Sequence, residues 1–317
     1  MIMEMQLKEI AKDVYACLQP DKGIGTSNAG LINSGDGLAV DTFWDLPHTR
    51  KMIELYAGVR SEPVKYVVNT HENGDHIWGN QLFEGAEIIA SQACADAFGI
   101  SESPEMLQAV KSMVDNPDPV LAGFAKNLAG WDFTGIELTK PSRTFDEELT
   151  LNLDGIGARL IMVGPAHTPG DVIVYLPERG VVFAGDVVFS LCTPVGWQGS
   201  YEKWFAAMDL IIEFAPDVIV PGHGPLCGIE GAREFKAYLQ YVRQESKTHF
   251  DAGLSSMDAC KKIDLGPYAD WTEPERLFFN VERAYREFRG ESWDTPVDAM
   301  TNFKGVGELR AFYAANR

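Results

Sequence analysis

Basic residues, histidine and paired cysteine are all scarce in this chain, and each scarcity closes a route. Lys and Arg number 27 against 46 Asp and Glu, which leaves a net charge of −19 over 317 residues. A surface that negative repels phosphate backbones and anionic lipid, so neither nucleic acid nor a membrane is expected as a partner. The five cysteines, Cys17, Cys94, Cys192, Cys227 and Cys260, are scattered, odd in number and form no CxxC pair. That suits a reducing compartment better than a disulfide framework. No apolar run approaches a membrane span, and residues 1–15 are interrupted by Glu4, Lys8, Glu9, Lys12 and Asp13, unlike a secretory leader. Together these absences point to a soluble cytoplasmic protein. Internal repeats and low-complexity segments are also missing, which excludes a solenoid.

What is present is enough apolar material for a core. Hydrophobic residues make up 45% of the chain, consistent with a large α/β unit carrying insertions. Short β-rich runs bounded by turn residues predict strands over 14–18, 30–33, 38–41, 65–69 and 86–90. A second series falls at 149–153, 158–163, 172–175, 181–183 and 218–220. Pro47 opens a helix through Tyr56, and another starts near Asp75 and runs towards Phe83. Residues 91–130 read as helical, broken at Pro104 and at Asn116-Pro117-Asp118-Pro119. Trp204, Phe205, Met208, Ile211 and Ile212 recur at helical spacing within 201–214, and from Glu230 onward the chain is mostly helical. Thr272 and Pro274 read as the N-cap and first turn of one such helix. Strands with helices on two outer flanks predict a layered α/β sandwich.

Four polar clusters fall at the ends of predicted strands. They are Thr70-His71-Glu72-Asn73-Gly74-Asp75-His76, Gly164-Pro165-Ala166-His167-Thr168-Pro169-Gly170-Asp171, Phe183-Ala184-Gly185-Asp186 and Val220-Pro221-Gly222-His223-Gly224-Pro225. Strand-end loops let a rigid sheet aim side chains at one point. The chain has six histidines, and four of them fall in these clusters. Imidazole and carboxylate are donors that suit Zn²⁺, Fe²⁺ or Mn²⁺, and the flanking Gly and Pro let the backbone turn and approach closely. The other two histidines lie outside the pattern: His48 reads as a capping or surface group at a helix start, His249 as a solvated or core residue on a helix.

The ordered set resembles the metallo-β-lactamase superfamily, whose first motif is H-x-H-x-D-H, followed by separated His, Asp and His. His71, Asn73, Asp75 and His76 match the first motif, and His167, Asp186 and His223 match the later ligands. Asn28-Ala29-Gly30-Leu31 and Asp41-Thr42 are also family-like, and the resemblance covers about residues 10–225. It implies an αββα sandwich with one or two Zn²⁺ ions at an edge between the sheets, Fe²⁺ or Mn²⁺ being alternatives. One site would use His71, the Asn73 position and His167, the other Asp75, His76 and His223, with Asp186 bridging. Residues 1–228 would form the core, with a helical insertion over about 101–139, and 229–317 a helical extension packed on it.

Asn73 departs from the motif, because an amide oxygen is a weak zinc ligand beside imidazole. Three outcomes stand open: Asn73 ligates, the first site is empty, or Asn73 hydrogen-bonds substrate or water. The resemblance implies a hydrolase acting on a small-molecule ester, lactone, thioester or amide through metal-activated water, with Asp75 orienting that water. The alternatives are a mononuclear iron oxidoreductase and a non-catalytic metal- or ligand-binding protein of the same fold. For the substrate pocket, the sequence offers Met106, Met113, Phe124 and Trp131 of the insertion, Tyr268, Trp271, Phe278 and Phe279 of the C-terminal helices, and Cys192, Thr193 and Trp197 after Asp186. For each of these, core packing is the plainer role.

Overall fold

The computed structural model describes residues 4–20, 23–100, 102–196 and 198–316. Two sheets lie face to face. Among the described residues the first has seven strands that follow one another in space as in sequence: β1 (Gln6–Ala11), β2 (Val14–Leu18), β3 (Asn28–Ile32), β4 (Leu38–Val40), β5 (Tyr66–Val68), β6 (Glu87–Ser91) and β7 (Arg143–Phe145). Neighbours are antiparallel from β1 to β4 and parallel from β4 to β7. The second sheet has five strands, β8 (Glu148–Asn152), β9 (Gly157–Met162), β10 (Val172–Leu176), β11 (Val181–Phe189) and β12 (Val218–His223), in spatial order β12-β11-β10-β9-β8. Its pairs are antiparallel except β11 with β12, which run parallel.

Side-chain alternation sorts each strand between two cores. Val172, Val174 and Leu176 of β10 point into the seam between the sheets, where Leu38, Val40, Val68 and Ile89 meet them. Ile173 of β10 points the other way, with Val182 and Ile219, against the outer helices. On the far side of the first sheet, Ala29, Leu31, Ala39, Val67 and Ile88 pack on Met52 and Tyr56 of α1 (Leu46–Ala57). Both faces of both sheets are therefore apolar, which accounts for the unbroken hydrophobic runs. The result is the expected αββα sandwich.

Helix α2 (Gly74–Ile77) is a single turn followed by a 3-10 turn at Asn80–Leu82, shorter than the expected helix towards Phe83. Next come α3 (Gln92–Ala97), α4 (Pro104–Lys111) and α5 (Pro119–Asn127), the pieces of the stretch 91–130 expected to be helical and broken at its prolines. Trp131, beyond α5, packs on Trp44 with ring centroids 5.3 Å apart. Helix α6 (Tyr201–Phe214) links β11 to β12. Then α7 (Ile229–Asp251), α8 (Ser256–Cys260), α9 (Leu277–Phe288) and α10 (Ala299–Ala315) follow. Phe235, Tyr238, Leu239 and Val242 of α7 and Leu277, Val281 and Ala284 of α9 share one core with α6 and the outer face of the second sheet. Among the described residues no helix is long and apolar enough to cross a membrane.

Some boundaries differ from expectation. Strands β11 and β12 outrun the predicted 181–183 and 218–220, so Asp186 and His223 lie within strands rather than after them. Register shifts at Phe183/Gly185 and Gly185/Phe189 bulge the pair, so residues that read as a turn sit in a bent strand. Thr272 is not a helix cap. Its amide donates to the Leu191 carbonyl, its carbonyl accepts from Thr193, and α9 begins after a 3-10 turn at Pro274–Arg276.

Candidate metal centre

The site forms at one edge of the seam, where the two sheets contribute equally. His71, Asn73, Asp75 and His76 lie where β5 runs into α2, His167 in the turn from β9 to β10, Asp186 on β11, and His223 at the end of β12. Asp186 stands in the middle. Its carboxylate oxygens lie 3.2 Å from His76 Nε2, 3.2 Å from His223 Nε2, 3.3 Å from His167 Nε2 and 3.8 Å from His71 Nε2. Asp75 Oδ2 is 3.5 Å from His223 Nε2 and 3.9 Å from His76 Nε2. Gly222 makes this closeness feasible, because a Cβ there would stand 1.9 Å from Asp186 Oδ1.

Outside this ring, a set of hydrogen bonds fixes how the imidazoles face. Thr70 donates its amide and its hydroxyl to Asp41, both at 2.7 Å. With its hydrogen committed there, the Thr70 hydroxyl accepts from His71 Nδ1 at 3.0 Å. His76 Nδ1 donates to Asp41 Oδ2 at 2.9 Å, and His223 Nδ1 to the Thr26 carbonyl at 2.8 Å. Each of these three rings is thus protonated on its outer nitrogen and turns Nε2 inward, the atom whose lone pair an ion would take. His167 differs, with Nε2 lying 2.9 Å from Asn73 Oδ1.

The electrostatics divide the four rings. Burial holds His71 well below the usual histidine range and His167 down at about 4, so both are neutral. For the other two, burial is overcome by the Asp186 and Asp75 carboxylates, which hold His76 well above that range and His223 above it. Burial works against ionising Asp186, but the surrounding imidazoles, His223 and His76 foremost, outweigh it and keep the carboxyl well below the usual range. Burial and the nearby Asp75 push Glu102, on the segment before α4, up to about 7. Its carboxylate accepts the Gly74 amide at 2.6 Å.

These residues fit a metal ion. His71 Nε2, His76 Nε2 and Asp186 Oδ1 are buried polar atoms with no hydrogen-bond partner among the described residues, a costly condition without a ligand to meet them. Two sets of donor atoms, His71, His167 and Asp186, and Asp75, His76 and His223, each lie within 4.8 Å of one another. Ligand atoms around a tetrahedral zinc stand about 3.3 Å apart, close to the spacings around Asp186. Asn73, Asp75 and His223 are half-buried while the rest are enclosed, so the centre opens on that side.

Other sequence candidates sit elsewhere. His48 is buried rather than on the surface, and its Nδ1 lies 2.6 Å from Asp45, the N-cap of α1. It borders a cavity of about 430 Å³ lined also by Lys111, Trp131 and Asp132, away from the His/Asp cluster. His249 is half-buried on α7. Trp271, Phe278 and Phe279 are core residues, Phe124 packs tilted against Phe303 of α10, and Met106 and Met113 are exposed. Cys192 and Thr193 are buried after β11, and Trp197 lies outside the described residues. The five cysteines form no disulfide, and burial pushes Cys227 up to about 11. Sequence reasoning assigned no role to Thr70, Thr26, Glu102 or Arg283, whose contacts span the chain. Asp41 stood out only as part of a family-like dipeptide.

Comparison with known proteins agrees with this geometry. The family model for the metallo-beta-lactamase superfamily matches residues 23–223. The linear primary-alkylsulfatase of a Pseudomonas species is 24% identical over 304 residues, spanning 84% of this chain and 57% of that protein, so the chain covers little more than half of that relative's length. Among solved structures, the stereoselective inverting sec-alkylsulfatase Pisa1 from Pseudomonas sp. aligns with TM-score 0.66 and 17% identity over 93% of this chain and 52% of its own. A metallo-beta-lactamase from Pontibacter korlensis aligns with TM-score 0.56 and 19% identity over 75% of this chain and 99% of its own. With the family model covering well over half of its length, the chain belongs to the metallo-beta-lactamase superfamily.

Proposed function

We propose that the protein is a zinc-dependent hydrolase of a small-molecule ester or related acyl compound (lactone, thioester or amide), with Fe²⁺ or Mn²⁺ as the alternative ions. The observation that carries this reading is the gathering of four inward Nε2 atoms around Asp186, those of His71 and His76 with no hydrogen-bond partner among the described residues. His71, His167 and Asp186 would hold one ion and Asp75, His76 and His223 a second, with Asp186 near enough to all four imidazoles to be shared. A bound divalent ion lowers the pKa of water and polarises the bond under attack. Asp75, half-buried on the open side, orients the attacking water and takes up its proton. Asp41 and Thr70 keep His76 and His71 in their tautomers throughout. Asn73 Oδ1 lies 2.9 Å from His167 Nε2, so an ion on that nitrogen would displace the contact and free the Asn73 amide to bind the ion, substrate or water. Residues 1–228 are the catalytic core and 229–317 its packed extension, in a cytoplasmic setting.

A second reading narrows the substrate to a sulfuric ester. A match over 93% of the chain must include most of residues 229–317, whereas one over 75% need not. Two solved structures whose likeness extends that far are of a sec-alkylsulfatase and its double mutant.

The test is a panel of p-nitrophenyl acetate, a lactone, a thioester and a primary alkyl sulfate. Turnover of at least one is expected, lost on chelation, regained with Zn²⁺, and lowered roughly 10²-fold or more by Asp75→Asn. The alkyl sulfate alone being cleaved selects the second reading. Bound iron with oxygen uptake moves the protein to the oxidoreductases, and tight ligand binding without turnover makes it a binding protein. Failure to take up any divalent ion sinks the hydrolase.

A further inference from the structure

Helix α9 carries polar residues where a core-facing helix should be apolar. Arg276 at its N-cap, Asn280, Arg283 and Glu287 recur at i, i+4, i+7 and i+11, so they share one face. Three are deeply buried, with exposures of 8% for Arg276, 0% for Asn280 and 3% for Arg283. Each of the four reaches a main-chain group outside its own helix, in the turn that carries His167 or along the chain from β11 into α6. Arg283 Nη2 donates at 2.9 Å to the carbonyl of Ala166, the residue before His167. Asn280 Nδ2 donates at 3.1 Å to the Pro194 carbonyl, in the segment that follows β11. Arg276 Nη1 lies 3.5 Å from the Thr193 carbonyl while its Nη2 pairs with Glu273. Glu287 accepts the amide of Tyr201, the first residue of α6, at 2.8 Å.

A buried cation is costly unless its partners are in place. Among the described residues Arg283 forms no ion pair, and its Nε and Nη1 meet no acceptor. Its guanidinium carbon instead stands 4.9 Å from the ring centroid of Tyr201 and 4.9 Å from that of Trp204. Trp204 in turn lies against the His167 ring, with centroids 5.8 Å apart. One side chain thus holds both the backbone entering His167 and the indole behind its ring. The contact with the other segment is equally close. A Cβ on Gly196 would stand 2.3 Å from Asn280 Oδ1, so glycine lets that segment lie flat on α9.

We propose that α9 is a backbone clamp for the metal centre, in which Arg283 is a positioning residue for His167, and Asn280 and Arg276 fix the segment leaving the Asp186 strand. The C-terminal helices are then a working part of the centre. This rests on the metal-binding half of the proposed function and not on the reaction.

The test is amide hydrogen exchange on metal-free protein, followed by metal titration against a chelator. Arg283→Met keeps the bulk and removes the donors, while Arg283→Lys keeps the charge and one donor. The amides of Val163, Gly164, Ala166 and Thr168, all bonded to Asp171, are expected to exchange about tenfold faster in Arg283→Met and close to normally in Arg283→Lys. Metal affinity should fall about tenfold in the first and recover in the second. Unchanged exchange and affinity in a folded Arg283→Met overturn the proposal, as does faster exchange spread evenly over the chain. If Arg283→Met does not fold, Asn280→Leu serves in its place. It should loosen the Thr193 amide, which is bonded to the Thr272 carbonyl, and leave the 163–168 turn alone. No change at Thr193 overturns the clamp. A wild-type protein that takes up no ion counts against the proposed function, while the exchange measurement, which needs none, still decides this inference.

Discussion

Asn73 stands where the family motif has an imidazole, and two sets of three His and Asp donors stand without counting it. His71, His167 and Asp186 already supply three donors, and the Asn73 oxygen rests against His167. Two equivalents of metal are therefore expected in the wild type, the second bound about tenfold or more weakly. Asn73→His should tighten the weaker equivalent and leave the tighter one alone. Elemental analysis with chelator competition reads both, and a single equivalent in both proteins would count against the His71 set. Glu72 gives a prediction of another kind. Burial, then the neighbouring Asp171, pushes its carboxyl from the ordinary 4.5 up to about 8. A raised carboxyl pKa means that the folded chain keeps a proton the unfolded chain has released. Its contribution to stability is whole below pH 4.5 and lost as the pH climbs through about 8. Glu72→Gln should flatten that decline, by an amount of the order of a few kcal/mol, in denaturant titrations of the metal-free protein across this range.

Strands β11 and β12 carry two of the site carboxylate and imidazole groups, and their bulged parallel pairing lets Gly222 pass directly over Asp186. Gly222→Ala would force these strands apart by the width of a methyl group. The expected outcome is a folded protein with metal affinity lowered at least about tenfold, checked by titration beside far-UV circular dichroism. An unchanged affinity would mean that the pair is looser than its spacing implies. These strands also mark the limit of what local sequence conveys. The sandwich and most helices were legible because apolar periodicity and proline placement are local signals. The six His and Asp side chains could be grouped because their order along the chain is distinctive. The true ends of β11 and β12 were not legible, since Gly185 and Pro221-Gly222 read as turns where the fold uses them as bulges. Edge strands β1 and β7 were missed because one is charged and the other is three residues long. The polar face of α9 was hidden for a different reason. Helical spacing shows that Arg276, Asn280 and Arg283 share a side, but only the packed chain shows that this side is buried.

At the scale of the whole molecule, each sheet is made from one continuous stretch of chain. Residues 6–145 build the first and residues 148–223 the second. The donor sets ignore that division, for His71 joins His167 and Asp186, and Asp75 and His76 join His223. An ion in either set would act as a removable cross-link between two halves held together otherwise by side-chain packing, the chain that joins them and bonds such as that from the Val172 amide to the Thr70 carbonyl. Closing so long a loop removes freedom from the unfolded chain, and a bond made late in folding mainly slows escape from the native state. Stopped-flow unfolding should therefore quicken markedly on chelation, with refolding little altered; equal effects on both rates would place the cross-link early instead. If it forms late, the persistence of the folded protein in a cell follows the local supply of metal, and starvation for the ion would shorten its lifetime as well as silence it.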